Sequence, residues 1–257
     1  MDSVEILALL FAAIAAGAIN SVAGGGTLVT FPVLLLFGTS PVIANATSTL
    51  ALMLGTAGSL FSYRRHLAEV KPWLKRFLPV SLLGGLIGSV LLTRTNDEVF
   101  AKLVPFLILF ATILFLAQGT FRRFAVKAAS GDPPVHQSVV GAVVFQFAVA
   151  VYGGYFGAGI GILMLASLGF IGLTNIYEMN ALKTILGALI NLVAVGWFIV
   201  MDIIDWPRAL IMTAGALGGY FLGAHFAQRI SQRAVRLLIT AIGFVITAVT
   251  FYKQFCR

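Results

Sequence analysis

The sequence predicts an all-α integral membrane protein of two inverted-topology repeats, each a broken or re-entrant helical hairpin followed by three transmembrane helices. Three observations carry this. Of 257 residues, 60 % are hydrophobic and 10 % charged, whereas a soluble domain is about half apolar and about a quarter charged. The charges gather between uncharged stretches of spanning length. The chain also matches itself without a gap at an offset of 135 residues (161 − 26, from Gly26 to Gly161).

Apolar stretches run at 4–23, 27–38, 43–63, 77–92 and 99–118, and again at 138–156, 160–172, 179–200, 207–227 and 235–251. The first opens behind Asp2 and Glu5, acid where a cleaved leader carries base, so it is expected to be retained. The second and seventh are short and follow Gly24-Gly25-Gly26 and Gly157-Ala158-Gly159-Ile160-Gly161. Twelve helical residues rise only about 18 Å, against a hydrocarbon core of about 30 Å, so both read as half-helices. The remaining three stretches of each half are long enough to span. The repeat keeps polar and glycine punctuation in register: Thr39 with Thr174, Asn45 with Asn180, Thr49 with Thr184, Pro72 with Pro207, Gly84 with Gly219, Gly88 with Gly223 and Arg94 with Arg229. Residues 1–118 therefore form the first repeat, 119–137 a cytoplasmic linker with Gly131, Asp132, Pro133 and Pro134, and 138–257 the second repeat.

Loop charge sets orientation. Arg64, Arg65, Lys71, Lys75 and Arg76, then Arg122, Arg123 and Lys127, then Arg229, Arg233 and Arg236 mark cytoplasmic segments. The loops with Asp202 and Asp205, and with Arg94, Asp97 and Glu98, are placed outside. Each hairpin must then return to the face it left, and the two repeats run in opposite senses, with both termini outside a bacterial inner membrane. Lys253 and Arg257 run mildly against that placement. The net charge of +8 reflects basic loops rather than nucleic-acid binding. The single cysteine, Cys256, excludes an intrachain disulfide and a cysteine metal cluster.

Inverted repeats with one broken segment each point to a transporter site at the breaks. There, N–H groups at a half-helix start and the helix dipole favour an anion, and glycine allows close approach. The candidate binding residues are Gly24, Gly25, Gly26 and Thr27 with Gly157, Gly159 and Gly161. Asn45, Ser48 and Thr49 open one following helix, and Asn180, Lys183 and Thr184 open its counterpart. Asn and Thr can complete an anion's shell or simply cap a helix. Lys183 sits inside an apolar helix, where an ionisable group signals function unless it snorkels to the surface. Asn20, Ser21 and Asn191 are weaker candidates, Asn191 alternatively as an interhelical tie. No carboxylate lies mid-membrane, so proton coupling would fall to Glu178 or His225, with His225 also placed to cap its helix; His66 and His136 fall in loops. Gly84, Gly88, Gly215, Gly219 and Gly223 read as helix-packing glycines. There is no HExxH, GxSxG or Walker lysine, so no catalytic residues, metal or cofactors are expected.

At Ala23-Gly24-Gly25-Gly26, Phe31-Pro32, Ala44-Asn45-Ala46-Thr47-Ser48, Gly157 to Gly161, Asp205-Trp206-Pro207 and the run Gly215 to Ala224, the chain resembles the sulfite exporter TauE/SafE family of membrane permeases. The resemblance spans nearly the whole chain. It implies movement of a small sulfur-containing or carboxylic anion, such as sulfite or a sulfonate. One departure stands out: Leu182-Lys183 replaces Thr47-Ser48 in the second half, and Pro32 has no counterpart. The expected protein is a secondary transporter working by alternating access, with a small anion and the lipid bilayer as partners. A coupling proton or sodium ion, and a homo-oligomer, stay open. An anion channel built on the same half-helices is the alternative, to be told apart by channel-scale currents. A membrane-embedded enzyme or scaffold lacks a catalytic constellation.

Overall fold

The computed structural model describes residues 1–22, 25–62, 67–130, 139–170, 173, 175–226 and 232–255. Among these residues the protein is all helical, with ten helices. They are α1 (Ser3–Val22), α2 (Thr27–Leu36), α3 (Pro41–Ser62), α4 (Leu67–Arg94), α5 (Asp97–Ser130), α6 (Val139–Tyr155), α7 (Ile160–Phe170), α8 (Ile176–Val200), α9 (Trp206–Phe226) and α10 (Gln232–Phe255). Every apolar stretch has become one helix. Five stretches within them, Ser3–Ser21, Glu69–Arg94, Asp97–Ala117, Glu178–Val200 and Ala234–Phe255, are long and apolar enough to cross a membrane. The short pair has 10 residues in α2 and 11 in α7, about 15–17 Å of rise.

Two boundaries differ from expectation. Helix α4 starts at Leu67, ten residues before the apolar stretch, so Lys71, Lys75 and Arg76 are helical rather than loop residues. Helix α5 runs on to Ser130, so 119–130 is a continuation of that helix rather than irregular chain. Leu67 to Phe77 and Thr120 to Ser130 are rich in Ala, Leu, Lys, Arg and Glu, good helix formers that hydropathy overlooks because they are charged or small. Gly24, His66, Arg64, Arg65, Gly131, Asp132, Pro133, Pro134, His136, Thr174, Arg229, Cys256 and Arg257 lie outside the described residues.

Packing crosses between the two ends of the chain. Helix α1 packs chiefly on α9, and α4 on α6 and α8, while α9 also meets α3. Glycines make those contacts close. A Cβ on Gly219 would strike the Ile14 carbonyl, and one on Gly215 the Leu10 carbonyl; on the other side, a Cβ on Gly88 would strike the Val151 carbonyl and one on Gly154 the Gly85 carbonyl. The small-residue runs of α4 and α9 are therefore helix-packing surfaces. One buried cluster draws together α4, α6, α7 and α8 (Val70, Phe77, Ala150, Met164, Leu186). A larger one joins α1, α2, α3, α5 and α9 with the far end of α8 (Leu9, Phe31, Phe115, Met212, Phe198). Helix α5 additionally lies against α7 and α10.

One end of the bundle is closed by ions. Arg208 donates from Nε to Glu5 Oε1 at 2.8 Å and pairs through Nη1 with Asp205. Its backbone N–H donates to Asp205 Oδ1 at 3.2 Å, which caps α9. The Asp205 N–H in turn donates to Thr47 Oγ1 at 3.0 Å, and Asp97 accepts from the Val42 N–H at 3.1 Å. These bonds fix the loops before α3, α5 and α9 to one another.

Candidate functional site

Both glycine turns converge on one ring. A Cβ built on Gly25 lies 2.7 Å from Phe115 Cε2, and one built on Gly159 lies 3.7 Å from the same atom. Gly25 has φ +94°, and Gly157 and Gly159 both +81°, a backbone region that L side chains seldom enter. The turns are tight for this reason, and the α5 phenyl fills the space their missing side chains leave. Phe31, in the first turns of α2, meets Phe156 at the second break edge-to-face at 5.5 Å. Phe100 and Tyr155 extend the same cluster at 5.6 Å. Phe31, Phe100 and Phe156 are buried, so aromatic packing seals one side of the meeting point.

The two turns are not chemically equal. At the first, Asn20 Oδ1 accepts from the Gly26 N–H at 2.7 Å, and the Leu28 and Val29 N–H groups donate to the Gly25 and Gly26 carbonyls at 3.0 and 2.9 Å. Backbone bonds of this kind recur at α7, where the Ile160 and Ile162 N–H groups donate to the Gly157 and Gly159 carbonyls at 3.3 and 3.0 Å, so the side-chain acceptor Asn20 is what distinguishes the first turn. Thr27 is the first residue of α2. Thr30 Oγ1 meets Ser48 Oγ at 2.6 Å and donates to the Gly26 carbonyl at 3.2 Å, tying α2 to α3.

At the second turn the neighbour is a cation. A Cβ on Gly161 would lie 3.2 Å from Lys183 Cδ and 3.9 Å from its Cε, so the lysine stem runs directly over the start of α7. Among the described residues no carboxylate pairs with Lys183. One turn further along α8, a Cβ on Gly187 would meet nothing within 4 Å, so space is open beside the lysine. Tyr152 donates its hydroxyl proton to the Ala158 carbonyl at 2.7 Å and braces this turn.

Asn45 bridges the two ends of the chain: its Nδ2 donates to the carbonyl of Tyr155, the last residue of α6, at 3.0 Å. Thr49 instead returns its hydroxyl to the Asn45 carbonyl at 2.8 Å within α3. Asn180 begins the corresponding stretch of α8 and has interactions of its own. Thr184 and Asn191 lie half-buried further along α8. Ser21 turns away from the breaks. Its hydroxyl donates to the Ala18 carbonyl at 2.8 Å and abuts Gly223 of α9, so it belongs to the packing surface. Glu178 accepts from Asn175 Nδ2 at 2.9 Å, while the Asn175 carbonyl accepts from the Met179 N–H at 3.0 Å at the start of α8. His225 sits in the last turn of α9, exposed and partnered.

Sequence reasoning missed Phe115, Phe156, Tyr152 and Thr30, and marked Phe31 only within the Phe31-Pro32 motif of the resemblance. Only Thr30 carried a usable signal, as a hydroxyl inside an apolar half-helix.

The model of the sulfite exporter TauE/SafE family matches residues 9–250. A protein of Haemophilus influenzae described as a "probable membrane transporter protein" is 30 % identical over 257 residues, covering 98 % of this chain and 96 % of its own length. A Sinorhizobium protein described in the same words, with the suffix ORF9, is 29 % identical over 94 % of this chain and 91 % of its own. Escherichia coli YfcA, also described as a "probable membrane transporter protein", is 26 % identical over 96 % and 89 %. No solved structure matches. Family membership carries a transport role rather than an enzymatic one, in an integral membrane protein. The chain belongs to the sulfite exporter TauE/SafE family of membrane transporters.

Proposed function

We propose that this chain is a secondary transporter for a small anion, of the sulfite, sulfonate or short carboxylate class, held between the two broken segments. The observation that carries the reading is Lys183. It is an unpaired cation laid over the start of half-helix α7 beside open space, among the described residues. A helix N-terminus and an ammonium group together favour an anion. The sulfur-containing class comes from the family description. At the first break, Asn20 already occupies the Gly26 donor, so the substrate rests mainly on the second.

The inverted-repeat reading is supported by helix starts. Pro41 and Ile176, and Asp97 and Gln232, open corresponding helices at the 135-residue offset (176 − 41 and 232 − 97). It is also supported by matched packing, α1 on α9 answering α6 on α4, and α3 on α9 answering α8 on α4. The moving bodies are then not the sequence halves. Each is three helices of one repeat with the fourth helix of the other: α1, α2, α3 and α9 against α4, α6, α7 and α8. Rocking between them alternates access to the breaks. Loop charge places Arg208, Asp205 and Asp97 outside and both termini outside.

Flux of sulfite, short sulfonates and carboxylates into proteoliposomes tests this. Lys183→Ala is expected to raise the half-saturating concentration about tenfold or more, roughly 1.4 kcal/mol of lost binding, with the thermal midpoint preserved. Wild-type flux and affinity in that variant would remove Lys183 from the site.

A further inference from the structure

Asn45 presents an oxygen that no donor among the described residues satisfies. The residue is 1 % exposed. Its amide orientation is settled by the bond from Nδ2 to the Tyr155 carbonyl, since only the nitrogen can donate there. Oδ1 is then a buried acceptor without a donor, a state that costs about 1–3 kcal/mol when left unmet. Ser48 lies one turn further on the same face of α3. Whichever hydroxyl donates in the short Thr30–Ser48 contact, Ser48 Oγ has two lone pairs and keeps at least one of them free to accept. Tyr155 ends α6, where the helix dipole is negative. Acceptor oxygens therefore gather at this place, at the negative end of a helix.

An anion has no purchase on such a group. An amide does not carry a titrating proton, and no cluster of His, Cys, Asp or Glu among the described residues would compensate a divalent ion. Neutral oxygens at the C-terminal end of a helix that stops at a break suit a monovalent hard cation. We infer that a sodium ion binds at Asn45 Oδ1 and Ser48 Oγ, against the C-terminal end of α6, where the first repeat touches the second break. Its role as coupling ion rests on the transport reading; its binding does not. The cation bridges α3 and α6, one helix from each packing unit, so its occupancy would favour the arrangement in which those units are closed.

The test uses the purified full chain in detergent, with no anionic substrate beyond chloride. Thermal midpoints are measured in NaCl, KCl and choline chloride at matched ionic strength. Sodium is expected to raise the midpoint in a saturable way above both other salts, as a ligand of the native state does. Asn45→Ala is expected to abolish that difference, Asn45→Asp to keep it because an oxygen remains, and Ser48→Ala to weaken it. A wild-type response to sodium no greater than to potassium or choline overturns the site. So does an undiminished sodium response in Ser48→Ala together with Asn45→Ala. Should Asn45→Ala fail to fold, the wild-type salt comparison and Ser48→Ala still decide. A sodium shift with no anion flux in proteoliposomes would instead sink the transport reading and leave the cation site standing.

Discussion

Gly25 and Phe115 show how tightly the first break is specified at the level of single residues. A methyl group at position 25 would collide with the Phe115 ring, and the φ of +94° is itself unfavourable for any L side chain. Left-handed backbone costs about 1–2 kcal/mol and overpacking about 1–3 kcal/mol. Gly25→Ala is thus expected to lower stability by about 2 kcal/mol or more. Adding Phe115→Leu should recover part of the loss, because it removes the collision and leaves the torsional strain. Thermal unfolding of the single and double variants checks this; full recovery would mean that the torsion is not strained. Gly187 is the opposite case. With nothing within 4 Å of its Cβ position, Gly187→Trp should fold normally yet block flux, if the space beside Lys183 is where substrate passes. Normal flux through a folded Gly187→Trp would place the path elsewhere. The polar half of this site was legible in the sequence. Lys183, Asn45 and the glycine turns stand out because polar or flexible residues are costly inside an apolar helix. Phe115 and Phe156 were not legible, since one more phenylalanine in an apolar stretch carries no signal of what it faces.

Among the helices, α9 offers a test within two adjacent residues. Gly219 faces the Ile14 carbonyl of α1, whereas Gly218 points into open space. Gly218→Ala should therefore be neutral or stabilising by up to about 1 kcal/mol, from helix propensity. Gly219→Ala should destabilise by about 1–3 kcal/mol, because the α1 backbone must give way. Equal effects in unfolding experiments would mean that α1 and α9 do not pack as closely as described. The positions of the ten helices followed from hydropathy, because lipid tolerates only apolar surface and satisfied backbone. The ends of α4 and α5 did not, as charged helix at a membrane boundary looks like loop to a hydropathy scale. Which helix sits beside which was also hidden. Lipid is as apolar as leucine, so the glycine runs marked packing surfaces without naming their partners.

For the whole molecule, exchange of α4 and α9 means that neither end of the chain is self-sufficient. Helix α1 has its chief neighbour in α9, and α6 has its own in α4. Residues 1–130 and 139–257 expressed separately should each aggregate or be degraded, while co-expression should give a complex that purifies as one. A monodisperse, folded 1–130 fragment would contradict the packing. In vivo the same exchange sets a schedule. Between the end of α1 and the start of α9 the ribosome must add 184 residues (206 − 22), about 10–40 s at about 5–20 residues per second. Between α4 and α6 it adds 45 (139 − 94), a few seconds at roughly that same pace. Order of synthesis and order of packing thus agree at α4 and are opposed at α1. Throughout that interval the glycine-bearing face of α1 must be kept by lipid or by the insertion machinery until α9 arrives to cover it.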